Sequence, residues 1–349
     1  MFEYVGSIHI HSVFSDGTGE IPDIAKFADE IGLDFIIITD HNTLRGLHEG
    51  YEKWYGNTLC LVGCEINDKN NKNHYLAFGI NDAFSTRTPA KKYVQKVKEL
   101  GGVGIIAHPL EKRTHMKEHP PYPWTEWDIT DFDGMEIWNH MSEWMENLTE
   151  ENKYRSFIHP LKTITAPTEE TLKLWDELNL KRKVVGIGGV DAHAHKYNLL
   201  GFLEVEIFPY KVLFKSVRTH VLLENEIKKG STQKEIDTAK WQIYNAIRKG
   251  SAFIANDYNG DSRGFRFYAK RNEEVFNMGD SVDHYENVSL HISIPLSDSE
   301  VRIIQNGKLI SEHLSNQIEY KLKEPGIYRV EVFRNKRAWI YSNHIRVGI

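Results

Sequence analysis

Nine residues of two chemical kinds recur at the ends of apolar runs in this chain of 349 residues. His9 and His11 lie in Ser7-Ile8-His9-Ile10-His11. On a strand, residues i and i+2 face the same way, so both imidazoles are expected to meet one ion. Asp16 follows in the turn Ser15-Asp16-Gly17, and His41 ends the run Ile38-Thr39-Asp40-His41. Glu65 ends Val62-Gly63-Cys64-Glu65, His74 begins His74-Tyr75-Leu76-Ala77-Phe78, and His108 ends Ile105-Ile106-Ala107-His108-Pro109. Asp191 and His193 close the run from Val184 to Val190, again at i, i+2. Asp191-Ala192-His193-Ala194-His195 offers two histidines, and the Asp-x-His pattern favours His193. Imidazole nitrogens and carboxylate oxygens are ligands for divalent transition metals. A single tetrahedral zinc takes three or four ligands. Six histidines and three carboxylates therefore predict two or three metals with a carboxylate bridging. One histidine at one strand end is ordinarily a hydrogen-bonded structural residue; it is the repetition that points to metal.

The elements that must bring these residues together can be read as well. From residue 1 to 258, apolar runs at 35–39, 59–64, 75–80, 103–107, 134–138, 184–190 and 252–256 alternate with helical patterns. Strand–helix alternation predicts βα units and a mainly parallel sheet. In a parallel α/β barrel the strand C-termini share one face, where active sites form. Thr88-Pro89 reads as a helix start with a cap and a first-turn proline, closed by Gly101. Thr232-Gln-Lys-Glu235 reads as a capping box before the stripe Ile236, Ala239, Ile243, Ile247, which ends at Gly250. The stretch 111–147 holds four of the eight Trp, the His115/His119 pair and Pro120-Pro121-Tyr122-Pro123, and reads as a long loop insertion over the barrel face. After about residue 259 the texture changes. Leu290, Ile292, Ile294 and Tyr328, Val330, Val332 alternate with polar residues, and Asn306-Gly307 marks a hairpin. Residues 259–349 are expected to form a β-sandwich of immunoglobulin-like size.

Composition narrows the function classes. A net charge of −6 argues against general nucleic-acid binding, whose footprint is a basic excess. No run approaches the roughly 18 to 20 apolar residues that span a bilayer, so no membrane role is expected. The start of the chain has no basic n-region, h-region or A-x-A site, and the expectation is a cytoplasmic protein. Cys60 and Cys64 fit buried free thiols rather than a disulfide framework. The count of 17 His is high for this length, and six of them belong to the nine-residue set, with no tag-like tract. Neither a Walker loop nor a Gly-x-Ser-x-Gly elbow is present.

In order and spacing, His9-x-His11, Ser15-Asp16-Gly17, Thr39-Asp40-His41, Glu65, His74, Ala107-His108-Pro109 and Asp191-Ala192-His193 resemble the PHP (polymerase and histidinol phosphatase) family over roughly residues 1–258. The resemblance implies a distorted seven-stranded β/α barrel with a trinuclear metal site. It implies that His9, His11, Glu65 and Asp191 hold one metal, Glu65, His74 and His108 a second, and Asp16, His41 and His193 a third. Glu65, Asp191 and His193 are the residues then expected to be catalytic. Zinc, manganese and iron all suit such ligands.

Three divalent cations against three carboxylates leave the face positive, which suits a small phosphorylated substrate. A bridging water acidified toward neutrality becomes the nucleophile, and the metals clamp the phosphoryl oxygens. The expected activity is a metal-dependent phosphoesterase acting on a phosphomonoester or phosphodiester, nucleotides included. Arg45, Lys112, Arg113 and His115 are candidate substrate contacts, while His140, His159 and His220 read as satisfied structural histidines. Two alternatives stand beside this reading. Some PHP-like proteins resemble carbaryl hydrolase and cleave carboxylic or carbamate esters on a related centre. A binding protein with a vestigial barrel is the third possibility, and the complete ligand set argues against it. The sequence leaves the oligomeric state open.

Overall fold

The computed structural model describes residues 1–115, 120–199 and 203–349. His119 lies outside the described residues. The chain is a mixed α/β assembly followed by an all-β region.

The first strand, Phe2–Ile10, pairs in parallel with Phe35–Ile38, which pairs in parallel with Thr58–Val62. Phe35 and Ile37 join one apolar core while Ile36 and Ile38 join the other, so this short run is buried on both faces. At Gly63 the chain changes partners, and Cys64–Ile66 pairs with Tyr75–Phe78 instead. Only glycine fits there: a Cβ on Gly63 would lie 2.8 Å from both the Ala77 carbonyl oxygen and the Phe78 ring. Tyr75–Phe78 pairs with Val103–Ile106, then Gly134–Asn139 and Val185–Gly189 follow in parallel. The path returns to its start: the Val190 amide donates to the Ile8 carbonyl at 3.0 Å and the His11 amide to the Ala192 carbonyl at 2.9 Å.

The sheet is not mainly parallel, as the alternation predicted. Tyr75–Phe78 runs antiparallel to both neighbours. Its connection from Ile66 spans only residues 67–74, too short for the crossover of a dozen or more residues that a parallel pair needs. The reversal is useful, because it sets the N-terminal end of that strand, with His74, beside the C-terminal ends of the others. Val217–Leu223 is also antiparallel to the first strand and in turn to Ala252–Asn256. Ala252–Asn256 then pairs with Arg337–Ser342, so one hydrogen-bonded sheet continues into the C-terminal region.

Helix ends follow local chemistry with one exception. Thr232 and Glu235 form the expected capping box, and Gly250 closes that helix at φ 82°. The helix Ala90–Glu99 is not capped by Thr88. Pro89 occupies the cap position without a side-chain bond, because Thr88 is drawn into a turn in which its amide donates to Ser85. Residues 111–147 are not one loop either. Strand Gly134–Asn139 and helix His140–Glu146 lie within them, since Met135, Ile137 and Trp138 must bury between neighbouring strands and helices.

In the C-terminal region a four-stranded sheet (Glu274–Asn277, Arg266–Arg271, Val288–Ser293, Gln317–Lys321) faces Ser299–Gln305, Gly326–Arg334 and Arg337–Ser342 across a second core. Asn306 and Gly307 turn the hairpin with positive φ, 52° and 78°, as a type I′ turn requires. Gly326–Arg334 is buried on both faces over most of its length, because the helix Glu169–Lys181 covers the side that alternation assigns to solvent. Among the described residues no helix is long and apolar enough to cross a membrane.

Candidate metal centre

His9 does not reach the site by simple pleating. The register slips between Ile8 and Ile10, and His9 has φ 68°. The bulge, rather than i, i+2 alternation, turns both imidazoles to one place, with ring centroids 5.2 Å apart. His108 (φ 28°) and Asp191 (φ 54°) also sit in left-handed backbone at strand ends. Strain of this kind persists only where surrounding contacts over-determine it. Here those contacts are visible: the Ala192 amide donates to His9, and Glu136 accepts from the His108 amide at 2.9 Å.

Glu65 stands at the centre. Its Oε1 is 2.7 Å from His74 Nδ1 and 3.4 Å from His108 Nε2. Its Oε2 is 3.0 Å from His9 Nε2, 3.1 Å from His11 Nε2 and 3.5 Å from His41 Nδ1. Asp191 Oδ1 lies 3.4 Å from both His9 Nε2 and His11 Nε2, and 3.5 Å from His193 Nδ1. Asp16 Oδ1 is 3.3 Å from His193 Nε2 and 3.6 Å from His11 Nδ1, while its Oδ2 is 3.8 Å from His41 Nε2. All nine residues thus converge. Donor atoms within 4.8 Å of one another fall into four overlapping groups: His9, His11, Asp191; His9, Glu65, His108; His41, Glu65, His74; and His11, Asp16, His41, His193. His195 stacks on His193 at 4.9 Å and stands outside these groups.

Buried charge shapes the cluster. Burial pushes the Glu65 and Asp191 carboxyls up, but the surrounding imidazoles hold both well below the usual carboxylate range. Burial alone would lower His11, yet its bonds to Asp191 and Glu65 raise it to about 10. His108 is likewise opposed by burial but raised to about 9 by Glu111 and Glu65. Desolvation wins at His41, which falls to about 4. The carboxylates thus call for positive charge among them. His41 Nδ1, buried and 3.5 Å from Glu65 Oε2, has no hydrogen-bond partner. An unsatisfied buried polar atom costs about 1–3 kcal/mol. A divalent cation accepting that lone pair removes the cost, and the grouped imidazole and carboxylate donors around it fit metal ions.

Behind the ligands lies a supporting shell that sequence reasoning missed. Glu136 Oε1 is 2.8 Å from His9 Nδ1, and its Oε2 accepts from Asn139 at 2.9 Å. This contact fixes the ring with Nε2 toward Glu65 and Asp191. The available signal was a lone carboxylate inside an apolar strand. Asp40 accepts from the Ser12 amide, the Ser12 hydroxyl and the Ser15 hydroxyl, each at 2.7 Å, and so sets the turn that carries Asp16. Tyr210 donates to the His11 carbonyl at 2.8 Å.

The predicted substrate contacts separate. Arg113 lines the cavity over the cluster, held by Glu111 at 2.9 Å and set 5.4 Å from the Tyr122 ring. Arg45 is exposed, paired with Glu49 and stacked 4.6 Å over Phe14; Lys112 is exposed and paired with Glu170. Neither they nor the exposed His115 line that cavity. His140 is buried against Ser216 and His220 between Glu3 and Asp257, but His159 is exposed, since it sits at the junction of two short helices and its side chain makes no cap bond. Cys60 and Cys64 are buried free thiols.

A strand-end cluster of imidazoles and carboxylates on a mixed α/β frame defines a metal-site protein. The chain belongs to the PHP domain family, whose sequence model matches residues 7–287. It is 30% identical over 115 residues to an uncharacterized protein of Methanocaldococcus jannaschii, a match covering 29% of this chain and 66% of that protein. Similar solved structures include a two-domain protein of Bacteroides vulgatus containing a predicted PHP-like metal-dependent phosphoesterase, at 13% identity and TM-score 0.47, covering 98% of this chain and 95% of that one. Another is an amidohydrolase of Chromobacterium violaceum with bound sulfate, at 14% identity and TM-score 0.33, covering 54% and 87%.

Proposed function

We propose that this protein is a metal-dependent phosphoesterase hydrolysing a small phosphorylated molecule. The strand circuit is read as a distorted seven-stranded β/α barrel, and the all-β region as an immunoglobulin-like sandwich. The observation that carries the proposal is the division of Glu65, one oxygen facing His74 and His108 and the other His9, His11 and His41. One carboxylate so placed would have an oxygen for each of two cations. His9, His11, Asp16, His41, Glu65, His74, His108, Asp191 and His193 would hold two to three divalent ions, with zinc, manganese or iron suited to the donor set.

When bound, such ions acidify a coordinated water toward neutrality and offset phosphoryl charge. The chain's own residues do the rest. Glu136 orients His9, and Asp40 orients the Asp16 turn. Arg113, braced by Glu111, presents a guanidinium in the cavity, where planar donors match phosphoryl oxygens. Depth excludes bulk water from Glu65, which is 1% exposed.

Elemental analysis of metal-supplemented protein is expected to find about two to three transition-metal equivalents per chain, and none would overturn the proposal. His9→Ala and Asp191→Ala are expected to abolish turnover without unfolding. A screen with Mn²⁺, Zn²⁺ and Fe²⁺ sets phosphomonoesters, phosphodiesters and nucleotides against aryl esters and carbamates. Turnover of the carbon esters alone transfers the assignment to that chemistry.

A further inference from the structure

The cavity over the cluster has a volume of about 390 Å³. That is far above the roughly 10–15 Å³ that one water needs on the same measure, and more room than a phosphoryl group fills. Its two sides differ in chemistry. One is the metal cluster. The other carries an apolar wall of Met141, Trp144, Met145, Phe157 and Ile207, with Asn71, His195, Tyr197 and Asn198 on the remaining lining.

This apolar wall is preformed. The Trp144 indole donates to the Ser156 carbonyl at 3.1 Å and packs edge-on against Phe157 and Phe208, with centroids 5.1 and 4.9 Å away. A ring wedged on two sides and tied at its nitrogen stays in place without a ligand. The wall also offers no charge. Among the described residues lining the cavity, Arg113 is the Lys or Arg side chain, and it stands over Tyr122, which stacks on His74 of the cluster, rather than on the wall. Among the described residues, a second phosphate on the substrate finds no Lys or Arg on the wall itself. A polyhydroxyl group seated on these five apolar side chains leaves hydroxyls unpaired, which is costly.

We infer that the leaving group of the substrate is an uncharged, apolar, ring-bearing alcohol, seated on this wall while its phosphate faces the cluster. The inference rests on the phosphoesterase reading. In the reaction a water oxygen bonds to phosphorus and the phosphorus–oxygen bond to the alcohol breaks. The proton released by the water ends on the alcohol oxygen, so phosphate and the free alcohol are the products.

The test compares two primary alkyl phosphates of similar intrinsic reactivity, 2-phenylethyl phosphate and glycerol 3-phosphate, on the full chain loaded with Mn²⁺, Zn²⁺ or Fe²⁺. A hydrophobic pocket discriminates by about tenfold or more per well-buried group, so kcat/KM is expected to favour the phenylethyl ester by at least about tenfold. Phe157→Asn is expected to bring that ratio toward one. As a readout independent of turnover, 2-phenylethanol is expected to change the tryptophan fluorescence of the metal-free protein saturably, more weakly in Phe157→Asn. Phosphate release from both esters at equal rates, or faster from glycerol 3-phosphate, overturns the inference and leaves the phosphoesterase reading standing. Release from neither, with cleavage of 2-phenylethyl acetate, overturns that reading itself.

Discussion

Glu136 is not among the nine converging residues, yet it holds His9 and the His108 backbone and decides how both are presented. A carboxylate behind a ligating histidine fixes its tautomer and raises its basicity, and its loss costs about 10–100-fold in metal affinity. Glu136→Gln is therefore expected to weaken metal binding by that factor, measured by titration against a competing chelator. Unchanged affinity would mean that His9 is held by the bulge alone. Chelation probes the same residues from another side. An ion that binds only the folded state stabilises it by about 2.7 kcal/mol at a hundredfold excess over Kd. Stripped protein is expected to unfold at lower temperature, and the midpoint to climb with each increment of added Mn²⁺ or Zn²⁺. A midpoint indifferent to metal would count against a site that closes around ions.

At the scale of elements, Gly63 lets one extended run serve two partners. Gly63→Ala forces the Ala77 carbonyl or the Phe78 ring to give way. Overpacking of this kind costs about 1–3 kcal/mol. The urea midpoint is expected to fall with little change in slope, and a neutral result would mean that the two strands can part without penalty. This junction also marks how far the sequence is legible. The nine donors could be read because each sits at the boundary of an apolar run, a local signal. The reversal of Tyr75–Phe78 is legible only in the brevity of residues 67–74. The bulge at His9 leaves no local mark, since Ile8-His9-Ile10 reads as plain alternation. Glu136 and Asp40 act through partners 127 and 28 positions away, at His9 and Ser12, and no pattern of spacing reveals such contacts. Arg329 misleads for a related reason: period-two alternation sends it to solvent, but a helix from the other half of the chain lies over it.

Across the whole molecule, that arginine joins the two halves. Arg329 grips both oxygens of Asp176 at 2.8 Å, and His344 Nε2 reaches Asp176 Oδ1 at 2.7 Å, all buried. Removing one member of a buried pair leaves the other uncompensated, at about 3–5 kcal/mol. Arg329→Met is expected to show a loss of that size in urea unfolding at pH 7. Burial pushes the Asp176 carboxyl up, but Arg329 and His344 hold it down at about 2, below its unfolded value near 4. A depressed carboxyl stabilises the fold above the unfolded value and loses that contribution as pH falls through the folded one. The wild-type advantage over Arg329→Met is thus expected to shrink by on the order of 2 kcal/mol as pH drops from about 4 to 2. An advantage constant across that window would assign the effect to packing.

The pairing of Ala252–Asn256 with Arg337–Ser342 has a further consequence. A fragment ending near residue 258 keeps all nine converging residues but bares the flank of its last strand. Unpaired strand backbone recruits other strands, and such a fragment is expected to self-associate more than the full chain, an outcome light scattering would register. The C-terminal sheet then acts as a built-in stopper against aggregation.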